Sequence, residues 1–135
     1  SALWEKNTGQ CQQPDVYLAN CYEPFFYARV GHPSLNKQGR SNIYQYRALQ
    51  EDQKIHPTER PIELMEDVLG TFGWLGCRVM VPFLGSGNTI LAANNLGMTA
   101  FGADIVSEYK DAYMSRVLAG TPGAYKSYNN KKEEE

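Results

Sequence analysis

RVMVPFLGSGNTILAANNLGMTAFGAD, residues 78–104, is the stretch whose reading decides the fold. Residues 78–83 form a short apolar run with two valines, bounded by glycines, which is the pattern of a buried strand. Gly85, Ser86 and Gly87 break the run. Residues 89–96 are good helix formers with paired alanines, and Gly97 stands where a helix C-terminus favours a residue that tolerates positive φ. Residues 98–104 return to a strand that ends on Asp104. The spacing predicts a βαβ unit with glycines between its first strand and its helix, and an acid 17 residues beyond Gly87. Such glycines let a ligand approach the backbone at a helix N-terminus, and a carboxylate ending the second strand can accept hydrogen bonds from ribose hydroxyls. Ile90 replaces the third glycine of the dinucleotide fingerprint, which weakens a nicotinamide or flavin reading. A tight turn in any α/β protein would need the same glycines, so the motif alone leaves both readings open.

Composition bounds what surrounds this unit. A chain of 135 residues, 42% hydrophobic and 12% aromatic, can bury one modest core, so one domain or part of one is expected. No apolar run is long enough to span a bilayer and no signal peptide opens the chain, so a soluble, intracellular protein without membrane contact is expected. Cys11, Cys21 and Cys77 are odd in number and lack CxxC spacing, which suggests neither a disulfide framework nor a zinc or other metal site. The net charge of −2 argues against a generally basic nucleic-acid binder. It hides an asymmetry, however: residues 29–60 carry +3 and residues 61–120 carry −3. A positive segment beside a negative one is compatible with polyanion contact on one side, and equally with an ordinary solvated loop.

Working outward, residues 1–13 are polar apart from Leu3 and Trp4 and are hard to place. Residues 16–18 and 22–30 are rich in aromatics and read as strand, with Pro24 suggesting an edge or a bulge. Residues 34–54 read as a loop or small insertion in which 43–46 is the short extended candidate. Pro61 suits a first helical position. Ile62, Met65, Val68, Leu69 and Phe72 then share one face, leaving Glu63, Glu66 and Asp67 outside, near the positive end of the helix dipole. Beyond the central unit, Ser107 reads as the N-cap of a helix to about residue 118. The polar tail, 121–135, is expected to be mobile.

Together, several of these residues carry a resemblance. His56-Pro57-Thr58-Glu59-Arg60-Pro61, a helix, Pro82-Phe83-Leu84-Gly85-Ser86-Gly87-Asn88-Thr89, then Gly102-Ala103-Asp104 and Tyr109 resemble the C-terminal half of the permuted, β-class DNA amino-methyltransferases. Those enzymes use S-adenosylmethionine to methylate adenine N6 or cytosine N4. The resemblance is strong over about half of the chain and extends weakly through residues 22–29. It implies that Pro82, Phe83, Gly85, Ser86, Gly87, Asn88 and Thr89 form a cofactor turn and that Asp104 holds the cofactor ribose. Thr58 and Pro61 would shape the other wall, near the methionine end. The segment 29–54 would lie where such enzymes place DNA-contacting loops, which makes Lys37, Arg40, Tyr44, Tyr46 and Arg47 candidates for DNA contact. A cytoplasmic protein, prokaryotic or phage-encoded, is also implied.

Two departures from the family pattern matter. Val81 stands where the family has an acid before Pro-Phe, close to the charged methionine part of the cofactor. The family's catalytic tetrapeptide, Asp, Asn or Ser followed by Pro-Pro-aromatic, is absent, and no Pro-Pro occurs in the chain. That tetrapeptide supplies the hydrogen-bond acceptor and the aromatic ring that hold a flipped base. In the permuted order it precedes everything seen here. Other readings of individual residues stay open: His56 before a proline reads first as a turn residue, Tyr44 and Tyr46 as half-buried strand tyrosines, and Asp104 as a cap for the following helix.

The expectation is an α/β protein with a partial doubly wound, Rossmann-like methyltransferase sheet and flanking helices. Residues 1–55 would form a strand and loop region, 56–120 the S-adenosylmethionine-binding region and 121–135 the tail. Function is expected to be DNA amino-methyl transfer by a larger protein, inactive in this chain alone. It would need a missing N-terminal part, a partner chain or self-association. The alternative is a non-catalytic cofactor- or DNA-binding module, or a subunit of a split enzyme.

Overall fold

The computed structural model describes residues 1–11 and 13–125. Strands β1 (Ala2–Gln10), β2 (Asn20–Phe25) and β3 (Ile43–Gln45) precede helix α1 (Ile62–Phe72). Strand β4 (Arg78–Val81), helix α2 (Asn88–Asn95), strand β5 (Thr99–Gly102) and helix α3 (Ser107–Ala119) follow. The expected α/β class holds, but the sheet comes as two small ones. β1 lies between antiparallel β2 and parallel β3, while β4 pairs in parallel with β5.

The central βαβ unit forms where the sequence places it, with both strands trimmed and the helix begun one residue earlier. β4 stops at Val81 because Pro82 has no N–H to donate to a ladder. Gly85 and Gly87 both adopt positive φ, +53° and +79°, so the turn between β4 and α2 depends on their lacking a side chain. Gly97 does the same, at +65°, beyond the end of α2. Met98 N–H then donates to Ala93 O, at 2.8 Å, as the chain leaves the helix.

Helix α1 joins the two sheets because it has two apolar faces. Ile62, Met65 and Leu69 pack with Leu91 and Ala92 of α2. Leu64 and Val68, one face round, pack with Ala2, Trp4 and Tyr44 of the three-stranded sheet. The single apolar stripe expected from the sequence is therefore wider than anticipated. Pro61 is the residue before the helix rather than its first member, with ψ 141°, and its carbonyl accepts the Met65 N–H.

Several further expectations are corrected. β1, which the sequence left unplaced, is the central strand of its sheet; Ala2 and Trp4 point inward, and Trp4 Nε1 donates to Tyr46 O at 2.7 Å. Residues 16–18 form no strand, because Pro14 starts a turn closed by Val16 N–H donating to Gln13 O. The strand expected over 22–30 ends at Phe25, and β2 lies at a sheet edge, where a proline is tolerated. Ser107 is the first residue of α3 rather than its cap; its hydroxyl donates to Glu108 instead. Asp67 and Glu66 are not idle solvent-facing acids: Asp67 is bound by Lys37, Arg40 and Tyr46, and Glu66 by Asn95. Of the tail expected to be mobile, Tyr125 packs on the α1–α2 cluster and its N–H donates to Asn95 Oδ1 at 2.9 Å. Residues 126–135 lie outside the described residues.

Candidate functional site

The turn between β4 and α2 opens onto a cavity of about 440 Å³ whose lining comes from six separate parts of the chain. Phe83 to Ser86, Asn88 and Thr89 form one wall. His56, Thr58 and Arg60 form another, Leu64, Met65 and Val68 of α1 the floor, and Trp4 with Glu23, Pro24 and Phe25 the side toward the first sheet. Asp104 stands two residues beyond the end of β5. The volume lies in the range of small-molecule and cofactor sites, and an apolar floor with polar groups around it is the usual make-up of such a site.

Asp104 is the hinge of this geometry. Its Oδ2 accepts the Gly85 N–H at 2.8 Å and its Oδ1 accepts the Val106 N–H at 3.0 Å. These two backbone donors, Gly85 first, hold the Asp104 carboxyl below the usual aspartate range. One acid thus fixes the glycine turn and the approach to α3 while staying ionised at the cavity. Gly102, two residues earlier, lets Ile90 of α2 come close; a Cβ there would sit 2.5 Å from the Ile90 Cδ1. That contact brings α2 down onto β5.

On the opposite wall, His56 Nδ1 accepts the Thr58 N–H at 3.2 Å, which places the ring proton of the neutral imidazole on Nε2. The ring meets the edge of Tyr109 with centroids 4.4 Å apart and lies beside Gly85. His56 is thus a turn residue that also lines the cavity. Nearer the first sheet, Glu23 pairs with Lys6 at 2.9 Å and with Arg60 at 3.1 Å. Partial burial opposes its ionisation, yet these cations hold its carboxyl below the ordinary value.

Of the residues assigned from sequence to the cofactor, Thr58, Phe83, Gly85, Ser86, Asn88, Thr89 and Asp104 line the cavity together. Pro61, Pro82 and Gly87 flank it as the residues that end or begin the neighbouring elements. Val81 ends β4, its carbonyl accepting the Ala103 N–H at 3.0 Å. Sequence reasoning missed Trp4, Glu23, Phe25, His56 and Arg60 as lining residues. The weak likeness over residues 22–29 was the available signal for Glu23 and Phe25; nothing in the pattern pointed to Trp4.

The residues assigned to DNA contact gather elsewhere, against α1. Asp67 accepts from Lys37 Nζ at 2.8 Å, from Arg40 NH2 at 2.5 Å and from the Tyr46 hydroxyl at 3.0 Å. Arg40 also stacks over the Tyr44 ring at 4.2 Å. Tyr44 itself is buried, its hydroxyl donating to Thr71 Oγ1. Burial opposes ionisation of Asp67, but hydrogen bonds from Arg40, Lys37 and Tyr46 bring its carboxyl down to about 2. Burial, and then that same carboxylate, push the Tyr46 phenol up to about 12. Arg47 is exposed. Among the described residues, no helix is long and apolar enough to cross a membrane.

Comparison with known proteins places the chain in a family. A sequence model of the N6/N4 type, described as DNA methylase, matches residues 2–115. Over 83 residues, 61% of this chain, the sequence is 35% identical to the type II methyltransferase M.BglII of Bacillus subtilis, covering 22% of that protein. It is 25% identical over 104 residues, 77% of this chain, to YubD of Escherichia coli K12, covering 45% of it. The chain therefore spans less than half the length of either relative. The crystal structure of an M1.HpyAVI–SAM complex superposes with a TM-score of 0.66 at 20% identity, over 86% of this chain and 60% of the other. With residues 2–115 matched end to end and the same fold recovered, the chain belongs to the DNA methylase family of the N6/N4 type.

Proposed function

We propose that this chain is the C-terminal, cofactor-binding part of a permuted S-adenosylmethionine-dependent DNA amino-methyltransferase acting on adenine N6 or cytosine N4. The observation that carries the reading is the carboxylate of Asp104 fastened to Gly85 at the mouth of the cavity. That arrangement holds an acceptor for ribose hydroxyls beside a backbone turn that a ligand can approach closely. The residues present fit such a group: a 440 Å³ space, an apolar floor from α1, and Thr58, Asn88 and Thr89 on the rim. When bound, S-adenosylmethionine supplies an electrophilic methyl group. This chain's own part is to bind and orient it, with Asp104 on the ribose side and the 56–61 turn on the methionine side.

The acceptor for a base amino group is not among these residues, since the chain has no Pro-Pro-aromatic tetrapeptide. A specific observation favours a second reading, in which a further segment or partner supplies that acceptor. Met80 on β4 and Phe101 on β5, paired in register, are 69% and 60% exposed on the face turned away from α2. A partner covering that face would place its own residues near the end of β4, beside the cavity. Titration calorimetry with S-adenosylhomocysteine tests the cofactor reading. Saturable one-to-one binding that weakens in Asp104→Ala is the expected result, and absence of binding to the folded chain overturns it.

A further inference from the structure

Glu59 is the one charged residue among the described residues that is buried, its side chain 2% exposed, and it sits between two residues that line the cavity, Thr58 and Arg60. A carboxylate in such a place needs a counter-charge and a full set of donors. Its Oε2 accepts the Ile55 N–H at 2.8 Å. Its Oε1 accepts from Arg116 NH1 at 2.8 Å and from Asn88 Nδ2 at 2.9 Å. The Asn88 amide is equally occupied: Nδ2 also donates to Arg60 O at 2.8 Å, and Oδ1 accepts from Arg116 NH1.

Three elements therefore meet in one closed network. Glu59 belongs to the turn that forms one wall of the cavity, and Asn88 is the first residue of α2, directly behind the glycine turn that forms the other. Arg116 comes from α3, lines no part of the cavity, and is the group that neutralises Glu59. Helix α3 has no fully buried residue and is held by half-buried side chains: Tyr109 meets the His56 ring, and Tyr113 and Val117 pack on the α1–α2 cluster. Tyr113 also packs so closely on Gly87 that a Cβ there would lie 2.1 Å from the ring. Arg116 and Tyr113 both land on the junction between the two walls.

We propose that Arg116 is a positioning residue for the cofactor cavity: by docking α3 against Glu59 and Asn88 it fixes the spacing between the 55–60 turn and the N-terminus of α2. The proposal rests on the cofactor reading for its functional consequence, while the coupling between the walls can be measured without any ligand. Arg116→Met keeps the bulk of the side chain and removes the charge, and Arg116→Lys keeps the charge with a single ammonium.

The test uses the full chain, hydrogen exchange without ligand and calorimetry with S-adenosylhomocysteine. Exchange in Arg116→Met is expected to quicken together in residues 55–60 and 86–91, with the β1–β2–β3 sheet unchanged. Affinity is expected to fall about tenfold, and Arg116→Lys to recover part of both losses. Should Arg116→Met fail to fold because Glu59 is left buried without a partner, Glu59→Gln/Arg116→Met removes that penalty. The double variant is expected to fold and still bind more weakly than wild type. Quickened exchange confined to α3, or a double variant with wild-type affinity, overturns the proposal. A wild-type chain that ignores S-adenosylhomocysteine overturns the cofactor reading instead, and the exchange pattern still decides whether Arg116 couples the walls.

Discussion

The N–H of Gly85 donates to Asp104 Oδ2 at 2.8 Å across the mouth of the cavity, so a residue just beyond the second strand of the βαβ unit also holds the turn after its first. Each Asp104 oxygen has accepted one backbone N–H and keeps lone-pair capacity for a ligand hydroxyl. Removing the side chain therefore disturbs turn and ligand together. Asp104→Ala is expected to weaken S-adenosylhomocysteine roughly tenfold, and Asp104→Asn, which keeps one good acceptor, less. Calorimetry of both variants checks this.

The same relationship sets a pH dependence. Backbone donors depress the folded-state carboxyl of Asp104, so its contribution is present above the ordinary aspartate value and lost only as pH falls through the lower, folded one. Affinity at Asp104 is expected to persist as pH falls through about 4, where an unperturbed aspartate would already be half protonated. Loss of affinity in step with an unperturbed aspartate would contradict the hydrogen-bonding scheme.

Asp67 supports a prediction about stability. Its carboxyl, held near 2 by Arg40, Lys37 and Tyr46, fastens the 37–46 segment to α1. Depression of a folded-state carboxyl stabilises above the unfolded value, near 4, and that stabilisation fades between about pH 4 and pH 2. Asp67→Asn is expected to lose about 1–2 kcal/mol near neutral pH, a discounted figure for partly solvated pairs. Urea unfolding near pH 7 and again near pH 2 checks the sign: the gap between variant and wild type should close in acid.

What the sequence could reveal follows from where the determinants lie. The β4–α2–β5 unit was legible because its signals are local: a valine run, glycines that must take positive φ, a helix period. The assignment of Asp104 to the site followed from the same spacing, together with the resemblance. β1 was not legible, because its inward residues are few and its partners lie far along the chain, Leu3 opposite both Pro24 and Ile43. The positive charge of residues 29–60 looked free for a polyanion because its neutralising acid, Asp67, is 27 residues from Arg40. No window of sequence shows that pairing. The division into two sheets was hidden for a similar reason, since it depends on which strands fail to meet.

The proposed DNA contacts separate under this geometry. Arg40 is spent on Asp67, so Arg40→Ala is expected to lower thermal stability, whereas Arg47, exposed on the same segment, is expected to leave stability unchanged when replaced by alanine. If Arg47 meets a phosphate in a DNA complex of the completed protein, Arg47→Ala should weaken binding evenly across sequences and reduce the slope of affinity against salt by about one. Melting curves with a salt series on the two variants check both parts. A slope unchanged in Arg47→Ala removes that residue from the interface.

The last prediction concerns what this chain does alone. Among the described residues β4 pairs only with β5, and a two-stranded sheet is marginal by itself. Helix α2 covers the face carrying Ala100 and Gly102, while Met80 and Phe101 stay exposed on the other. Phe83, at the cavity, is 88% exposed, so the wall of the site beyond β4 is open. A strand set beside β4 would close the edge, cover Met80 and bring its own end to the cavity mouth, where a base amino group would need its acceptor. As a hypothesis, the 135-residue chain transfers no methyl group unaided and either self-associates or binds the segment or partner that completes this edge. Incubation with labelled S-adenosylmethionine and mixed-sequence DNA, beside sedimentation of the same sample, is expected to show no transfer and either a dimer or a tendency to aggregate. A monomer that methylates DNA would sink the proposal, and Glu23, a carboxylate already at the cavity, would become the first candidate for the acceptor.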